Sequence, residues 1–78
     1  MRVQDYQRWR VAAGKRLQAE RERAAVTQAE LAAETDFTQQ MISRYEGGRI
    51  GKSLYFTANM LKAGYDVHYI LTGRRKKR

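Results

Sequence analysis

The sequence predicts a compact all-α domain of five helices, and three observations support this prediction. Apolar residues recur at three- and four-residue spacing, no stretch alternates in the manner of a strand, and most of the six glycines fall where helices would end. Proline is absent from all 78 residues. A chain of this length is expected to form one small domain, and its core is so small that a dimer interface would help to stabilise it.

The first predicted helix extends from about residue 5 to residue 23. It must pass through Gly14, which costs about 1 kcal/mol relative to alanine. The alternative is a break at that glycine, which would leave residues 1–12 as a separate arm, and we favour a continuous helix. One face of this helix carries apolar residues at helical spacing, namely Tyr6, Trp9, Ala13 and Leu17.

Helices 2 and 3 have clear start signals and are separated by only a tight turn. Thr27 is a favourable N-cap, and Glu30 three residues later completes a capping box, so helix 2 is predicted for residues 28–34. Thr38 is the corresponding N-cap of helix 3, which is predicted for residues 39–46 and ends at a pair of glycines. Two short helices with this spacing indicate a helix-turn-helix arrangement.

The last two helices are predicted for residues 53–63 and 66–72, the second with Asp66 as its N-cap. On helix 5, the residues expected to pack inward are Val67, Ile70 and Leu71. Tyr65 and Tyr69 are expected on another side, where two aromatic residues indicate a twofold dimer interface. The alternative is a monomer with two half-buried tyrosines.

Composition and charge limit the function further. Sixteen Lys and Arg against eight Asp and Glu give a net charge of +8, so an acidic polymer such as DNA is an expected partner. Five of these positive charges lie in residues 74–78, and +8 less 5 leaves only +3 for the rest. The net charge therefore supports DNA as a partner, but it would not be sufficient evidence without the helical motif.

Several classes of protein are not expected from this composition. Without cysteine and with a single histidine, the chain has no material for a disulfide framework or a metal site, and no cofactor is expected. No phosphate-binding glycine loop and no evident pocket of paired acids point to an enzyme. No apolar stretch is long enough for a membrane span, and no signal-peptide pattern is present, so we expect a cytoplasmic protein without a membrane partner.

Helix 3 has a polar half opposite an apolar half. At 100° per residue, Met41, Ile42 and Tyr45 fall across the helix from the polar side chains. Glutamine can pair through two hydrogen bonds with adenine and arginine with guanine, whereas acidic side chains, absent from this polar face, would repel phosphate. A merely solvated face is the alternative for any one of the polar residues, which are Gln39, Gln40, Ser43 and Arg44.

These segments resemble the helix-turn-helix of the Cro/repressor family of phage and bacterial regulators, also called the Xre type or lambda-repressor-like. The resemblance covers about residues 14–73. The matching positions are Thr27-Gln-Ala-Glu-Leu-Ala32, Thr38-Gln-Gln40, Ile42, Glu46, Gly48 and Asp66-Val-His-Tyr-Ile-Leu-Thr-Gly73.

The resemblance implies a sequence-specific transcriptional regulator, a repressor that binds a near-palindromic double-stranded DNA operator as a homodimer. It implies base contacts in the major groove from Gln39, Gln40, Ser43 and Arg44. The phosphate contacts that it implies are from Gln28, Thr38, Arg49 and Lys52, and Ser43 would fit either role. Gln28 is also expected to brace Gln39, and Arg21 and Glu46 to form a buried ion pair.

Two positions depart from the family pattern, and two segments lie outside it. Asp36 stands where the family commonly has glycine in the turn, and Gly47 stands where asparagine is commoner. The expected organisation is an N-terminal extension at residues 1–12, a helix-turn-helix domain at 13–73 and a basic tail at 74–78. The tail would either reach DNA phosphates or remain disordered and solvated.

Other functions fit the same sequence. An autoregulating antitoxin or a restriction–modification controller would use the same DNA-binding fold, and a toxin or an antirepressor would then be a protein partner. Non-specific nucleic-acid binding through the tail is a third alternative. A stable co-purifying partner would identify the antitoxin, and gene neighbourhood would identify the controller. Strong affinity without sequence preference would identify the non-specific binder.

Overall fold

The computed structural model describes residues 2–49 and 54–75, which form five α-helices and no strand. The all-α prediction is therefore confirmed. The radius of gyration of the Cα atoms is 11.9 Å, which is that of a compact small domain. The helices are α1 (Val3–Arg23), α2 (Gln28–Thr35), α3 (Gln39–Glu46), α4 (Leu54–Lys62) and α5 (Val67–Thr72).

Helix α1 passes through Gly14 without a break because the glycine lets two helices approach closely. A Cβ atom at this position would lie 2.6 Å from the carbonyl oxygen of Tyr45 and 2.8 Å from that of Glu46. Both distances are shorter than van der Waals contact, so only glycine fits. The middle of α1 thus packs directly against the backbone at the end of α3.

The predicted caps at helix starts are present. The Thr27 hydroxyl accepts a hydrogen bond from the backbone N–H of Glu30, and the Glu30 carboxylate accepts one from the N–H of Thr27. The Thr38 hydroxyl accepts from the N–H of Met41, and the Asp66 carboxylate accepts from the N–H of Tyr69. These bonds satisfy N–H groups that a helix start leaves unpaired.

The core lies where all five helices meet. Leu17, Leu31 and Ile42 are fully buried at its centre, one each from α1, α2 and α3. Helices α4 and α5 close it from the other side with Phe56, Met60 and Ile70.

The expectations for the last helix were correct in part. Val67 and Ile70 pack inward, but Leu71 is 40% exposed and the expectation that it is buried is wrong. Tyr65 is only 8% exposed within the core, so its placement outside the core is also wrong. Its hydroxyl donates to Glu34 at 2.9 Å, and this burial and hydrogen bond raise the pKa of Tyr65 to about 12. Tyr69 is half-buried, and its place in a dimer interface stays a prediction.

A buried carboxylate joins α1 to the end of the chain. Glu20 accepts hydrogen bonds from Arg23, from the backbone N–H of Asp66 and from Arg75. Burial alone would raise the pKa of Glu20, but these bonds outweigh it and lower the pKa to about 2. The Arg75 guanidinium also lies 4.1 Å from the centre of the Tyr69 ring. The start of the basic tail is thus held against the domain, while residues 76–78 lie outside the described part.

Within the described ranges, no helix is both long and apolar enough to cross a membrane.

Candidate nucleic-acid interface

The turn between α2 and α3 is built from Asp36 and Phe37. Asp36 adopts a left-handed conformation (φ 63°, ψ 39°), which glycine adopts more readily than a residue with a Cβ atom. The N–H groups of both residues donate to the carbonyl oxygen of Ala32, which ends α2. The chain then extends for one residue, Thr38, before α3 begins. This is the geometry of a helix-turn-helix.

Helix α4 holds this turn in place through two side chains. The Tyr55 hydroxyl donates to the Asp36 carboxylate at 2.8 Å, and the Asn59 amide donates to the Thr35 carbonyl oxygen at 2.8 Å. No sequence motif identifies either contact, because Tyr55 and Asn59 lie about twenty residues beyond the turn. The Asn59 contact satisfies a carbonyl oxygen that the end of α2 leaves unpaired, and the Tyr55 contact holds the side chain of the left-handed Asp36.

An aromatic cluster fixes the apolar half of α3. Phe56 of α4 packs edge-on against Phe37 and Tyr45, with ring centres 5.0 Å and 4.9 Å apart. Ile42 is fully buried and Met41 partly so, as the helical wheel predicts. With one half locked, α3 cannot rotate about its axis without breaking these contacts.

The other half of α3 faces outward. None of its four polar side chains has a hydrogen bond or ion pair to another residue in the described ranges, which leaves their donors and acceptors available to a ligand. The structure thus brings the predicted base-contacting set to one exposed helix surface. Its members are Gln39, Gln40, Ser43 and Arg44.

An ion pair beneath this surface sets the orientation of α3. Arg21 of α1 donates to both carboxylate oxygens of Glu46, at 2.6 Å from Nε and 3.1 Å from Nη2. A third donor of Arg21, Nη1, binds the carbonyl oxygen of Val26 before α2 begins. These hydrogen bonds to Glu46 raise the pKa of Arg21, so its guanidinium stays charged at every physiological pH. The buried ion pair that the resemblance implies is therefore confirmed.

The expected brace between Gln28 and Gln39 is wrong. The amide Nε2 of Gln28 instead donates to Oε1 of Glu46 at 3.0 Å. This carboxylate is largely buried and lies at the end of α3, within reach of the half-buried Gln28. The side chain of Gln28 therefore stabilises the Arg21–Glu46 ion pair and does not form a hydrogen bond with Gln39.

In its described part, residues 47–49, the segment after α3 carries one further exposed cation. Gly48 adopts a positive φ of 95°, and its carbonyl oxygen accepts a hydrogen bond from Nη1 of Arg10 at 2.7 Å. Arg49 follows and is exposed, and its N–H donates to the Arg44 carbonyl oxygen. Arg10 was not predicted as a site residue, because it lies in the N-terminal extension, where no motif identifies it. Lys52, the last expected phosphate contact, lies outside the described residues.

The charge of this surface is positive where the structure describes it. Arg44 and Arg49 are exposed, and the one acidic residue of α3, Glu46, is neutralised by its pairing with Arg21. Thr38, another expected phosphate contact, is exposed at the start of the helix, where backbone N–H groups favour an anion. The surface therefore combines hydrogen-bonding side chains with groups that attract phosphate.

A model of the helix-turn-helix domain family matches residues 12–68, which is most of the chain and includes α2, α3 and the turn between them. No curated protein and no solved structure gave a match.

Proposed function

Because this chain belongs to the helix-turn-helix domain family, we propose that it is a sequence-specific DNA-binding transcriptional regulator of the Cro/repressor type. The observation that carries the proposal is the outer face of α3. Its four polar side chains are exposed and unpaired among the described residues, on a helix whose opposite half is locked into the core. A rigid helix with available amide and guanidinium groups is suited to the major groove.

The proposed DNA contacts are of two kinds, to base edges and to backbone phosphates. Gln39, Gln40 and Arg44 hydrogen-bond base edges, and Ser43 contacts either a base or the backbone. The phosphates on either side are bound through residues that carry no base preference of their own, namely Gln28, Thr38, Arg49 and Lys52. Gln28 would contribute chiefly through the N–H groups at the start of α2, since its side-chain amide is held by Glu46.

The regulator would act as a homodimer on a near-palindromic operator in the bacterial cytoplasm. Two copies related by a twofold axis would place their α3 helices about 34 Å apart, one turn of duplex, so that each contacts one half-site. Occupancy of such an operator would exclude polymerase, and the resulting regulation is repression. No enzymatic step is part of this function.

Substitution of Arg44 tests the assignment of base contacts. Arg44→Ala should weaken binding to the preferred duplex by about tenfold or more and relax one base position, because a two-pronged contact is lost. Lys62→Ala is the matched control, since Lys62 is an exposed cation on α4 rather than α3. Its effect should be small and equal on preferred and scrambled duplexes. Equal losses on both duplexes for Arg44→Ala would contradict its role in base recognition.

A further inference from the structure

The first half of α1 is rich in cations and free of acids. Residues 6–19 contain no Asp or Glu, and their four positively charged residues are Arg8, Arg10, Lys15 and Arg16. The first two of these precede residues 12–68, the part of the chain that the family model matches. Membership of the helix-turn-helix family therefore does not explain why this segment carries so much positive charge.

Two of the four cations have structural partners and two do not. Nη1 of Arg10 donates to the Gly48 carbonyl oxygen at 2.7 Å, and Nε of Arg16 donates to a carbonyl oxygen of α5 at 2.9 Å. Arg8 and Lys15 are exposed, and neither has a hydrogen bond or an ion pair to another residue in the described ranges. Their charges are therefore available to a ligand.

The two available cations lie on the same side of α1. Seven residues separate Arg8 from Lys15, which is two turns and about 10 Å along the helix axis, and Val11 lies between them within about 60° around the helix. An open groove of about 450 Å³ follows this side of the helix and is lined by Gln7, Arg8, Val11, Ala12 and Lys15. We call this surface the α1 stripe, defined by its exposed residues Arg8, Val11 and Lys15.

The acidic residues at either end of the α1 stripe do not neutralise it. The Asp5 carboxylate accepts a hydrogen bond from the backbone N–H of Arg2 at the start of the helix. Glu22 lies two turns beyond Lys15 and accepts a hydrogen bond from the side-chain amide of Gln18. Neither carboxylate forms an ion pair with the stripe in the described part of the chain, so the stripe keeps its full positive charge.

The α1 stripe adjoins the segment that follows α3. A Cβ atom on Gly48 would lie 3.3 Å from both Cα and Cγ2 of Val11, so the backbone of this segment packs directly against the stripe. The hydrogen bond from Arg10 to Gly48 fixes the same junction. Arg49, an expected phosphate contact, is the next residue. The stripe therefore extends the positive surface beside α3.

Charge complementarity and this continuity select double-stranded DNA as the occupant. Guanidinium and ammonium groups bind the phosphate backbone without regard to base sequence. The centre of a protein–protein interface is usually depleted in charge, whereas the α1 stripe has a cation at each end and only Val11, 41% exposed, between them. An open groove of this composition is better suited to a phosphate backbone than to a folded protein.

We propose that the α1 stripe binds the phosphate backbone of duplex DNA through Arg8 and Lys15. The proposal deepens the proposed function and rests on it for DNA as the occupant. Neither cation carries a base preference, so the stripe adds affinity and leaves the choice of sequence to α3.

The salt dependence of DNA binding by the full chain tests the proposal, with the preferred duplex and a scrambled one as probes. At about 0.15 M salt, the double variant Arg8→Gln, Lys15→Gln should bind both duplexes about tenfold more weakly. The slope of log K against log salt should become shallower by about 1.8, because each phosphate contact contributes about 0.9. The ratio of the two affinities should stay unchanged, because α3 is untouched. Circular dichroism should show a folded variant, since both side chains are exposed.

Single variants provide a control matched in charge. Arg8→Gln and Lys15→Gln each remove one cation from the stripe and should each make the slope shallower by about 0.9. Lys62→Gln removes one exposed cation from α4 and should change the slope by less than half as much. Stripe variants that change binding no more than Lys62→Gln does would overturn the proposal. A loss confined to the preferred duplex would also overturn it, because it would indicate base recognition.

The same measurements separate this proposal from the proposed function. A wild type that binds both duplexes equally, and a double variant that binds both more weakly, would support the α1 stripe while contradicting sequence-specific recognition. Sequence-specific binding that the double variant leaves unchanged would overturn the stripe alone. A wild type that binds neither duplex would overturn both.

Discussion

The Arg21 guanidinium and the Glu46 carboxylate form a two-pronged ion pair, and both side chains are largely buried. The pair connects the end of α1 to the end of α3, and Gln28 joins it from the start of α2. Three helix ends therefore meet at one carboxylate. The direction in which α3 presents its polar face depends on this junction as much as on the aromatic cluster beneath it.

Removal of one partner of this ion pair should be costly. Arg21→Met leaves the Glu46 carboxylate buried with only Gln28 as a side-chain donor, and the free energy of unfolding should fall by about 3–5 kcal/mol. The double variant Arg21→Met, Glu46→Met should recover much of this loss, because neither charge is then buried alone. Urea denaturation measures both. A single variant as stable as the wild type would show that the pair does not hold the helices together.

Gly14→Ala should destabilise the protein, although glycine to alanine normally stabilises a helix. The added Cβ would lie 2.6 Å from the Tyr45 carbonyl oxygen, so α1 and α3 would have to separate. A loss of about 1–3 kcal/mol is expected, as for other overpacked contacts. Ala19→Gly, at an exposed position of the same helix, is the control and should cost about 1 kcal/mol by propensity alone. A stabilised Gly14→Ala variant would contradict the close approach.

These elements differ in how far the sequence could predict them. The starts of α2, α3 and α5 were predictable because a capping side chain acts on N–H groups two or three residues away. The fit at Gly14 was not, because it depends on the backbone of α3, about thirty residues further along the chain. The sequence pattern alone showed only that glycine lowers the stability of the helix relative to alanine.

Ala25→Gly should stabilise the fold. Ala25 has a φ of 60° just beyond the end of α1, a conformation that costs a residue with a Cβ about 1–2 kcal/mol. Glycine removes this strain but loses more entropy on folding, so a net gain of up to about 1 kcal/mol is expected. Asp36→Gly should gain less, because the Tyr55–Asp36 hydrogen bond is lost with the side chain. Thermal denaturation compares the two variants, and an Ala25→Gly variant less stable than the wild type would contradict the strain at this position.

Stability should depend on Glu20 at acid pH. Its pKa is about 2 in the folded chain against an ordinary value of 4.5. A lowered pKa in the folded state means that its contribution is complete above about pH 5 and is lost as the pH falls towards 2. The contribution should be about 2 kcal/mol, since the Arg23 and Arg75 partners are partly solvated.

Urea denaturation between pH 6 and about pH 2 measures this dependence. Glu20→Gln should be less stable than the wild type near neutrality, and the difference should shrink as the pH falls. Glu22→Gln, an exposed position of the same helix, should keep the acid-induced loss. A wild type and a Glu20→Gln variant with parallel pH profiles would contradict the paired state of Glu20.

A comparison of α3 with α5 shows where a helical wheel predicts burial correctly and where it does not. On α3, four exposed polar residues lie opposite three apolar ones as the wheel predicts, and the fifth polar residue, Glu46, is buried by its pairing with Arg21. Near α5, tyrosine is compatible with both core and surface, and Tyr65 is buried because Glu34 accepts its hydroxyl hydrogen bond. Leu71 is hydrophobic yet 40% exposed near the end of the short α5. A partner distant in sequence therefore decides the position of Tyr65, and the helical wheel could not show it.

We expect the outer face of α3 to recognise specific base pairs, and selection from random duplex DNA is the measurement that tests this expectation. The selection should be made at about 0.15 M salt, where weak binding to phosphates is largely screened. The expected result is enrichment of a twofold-symmetric motif whose half-sites are one helical turn apart. Binding without any enriched motif would contradict it.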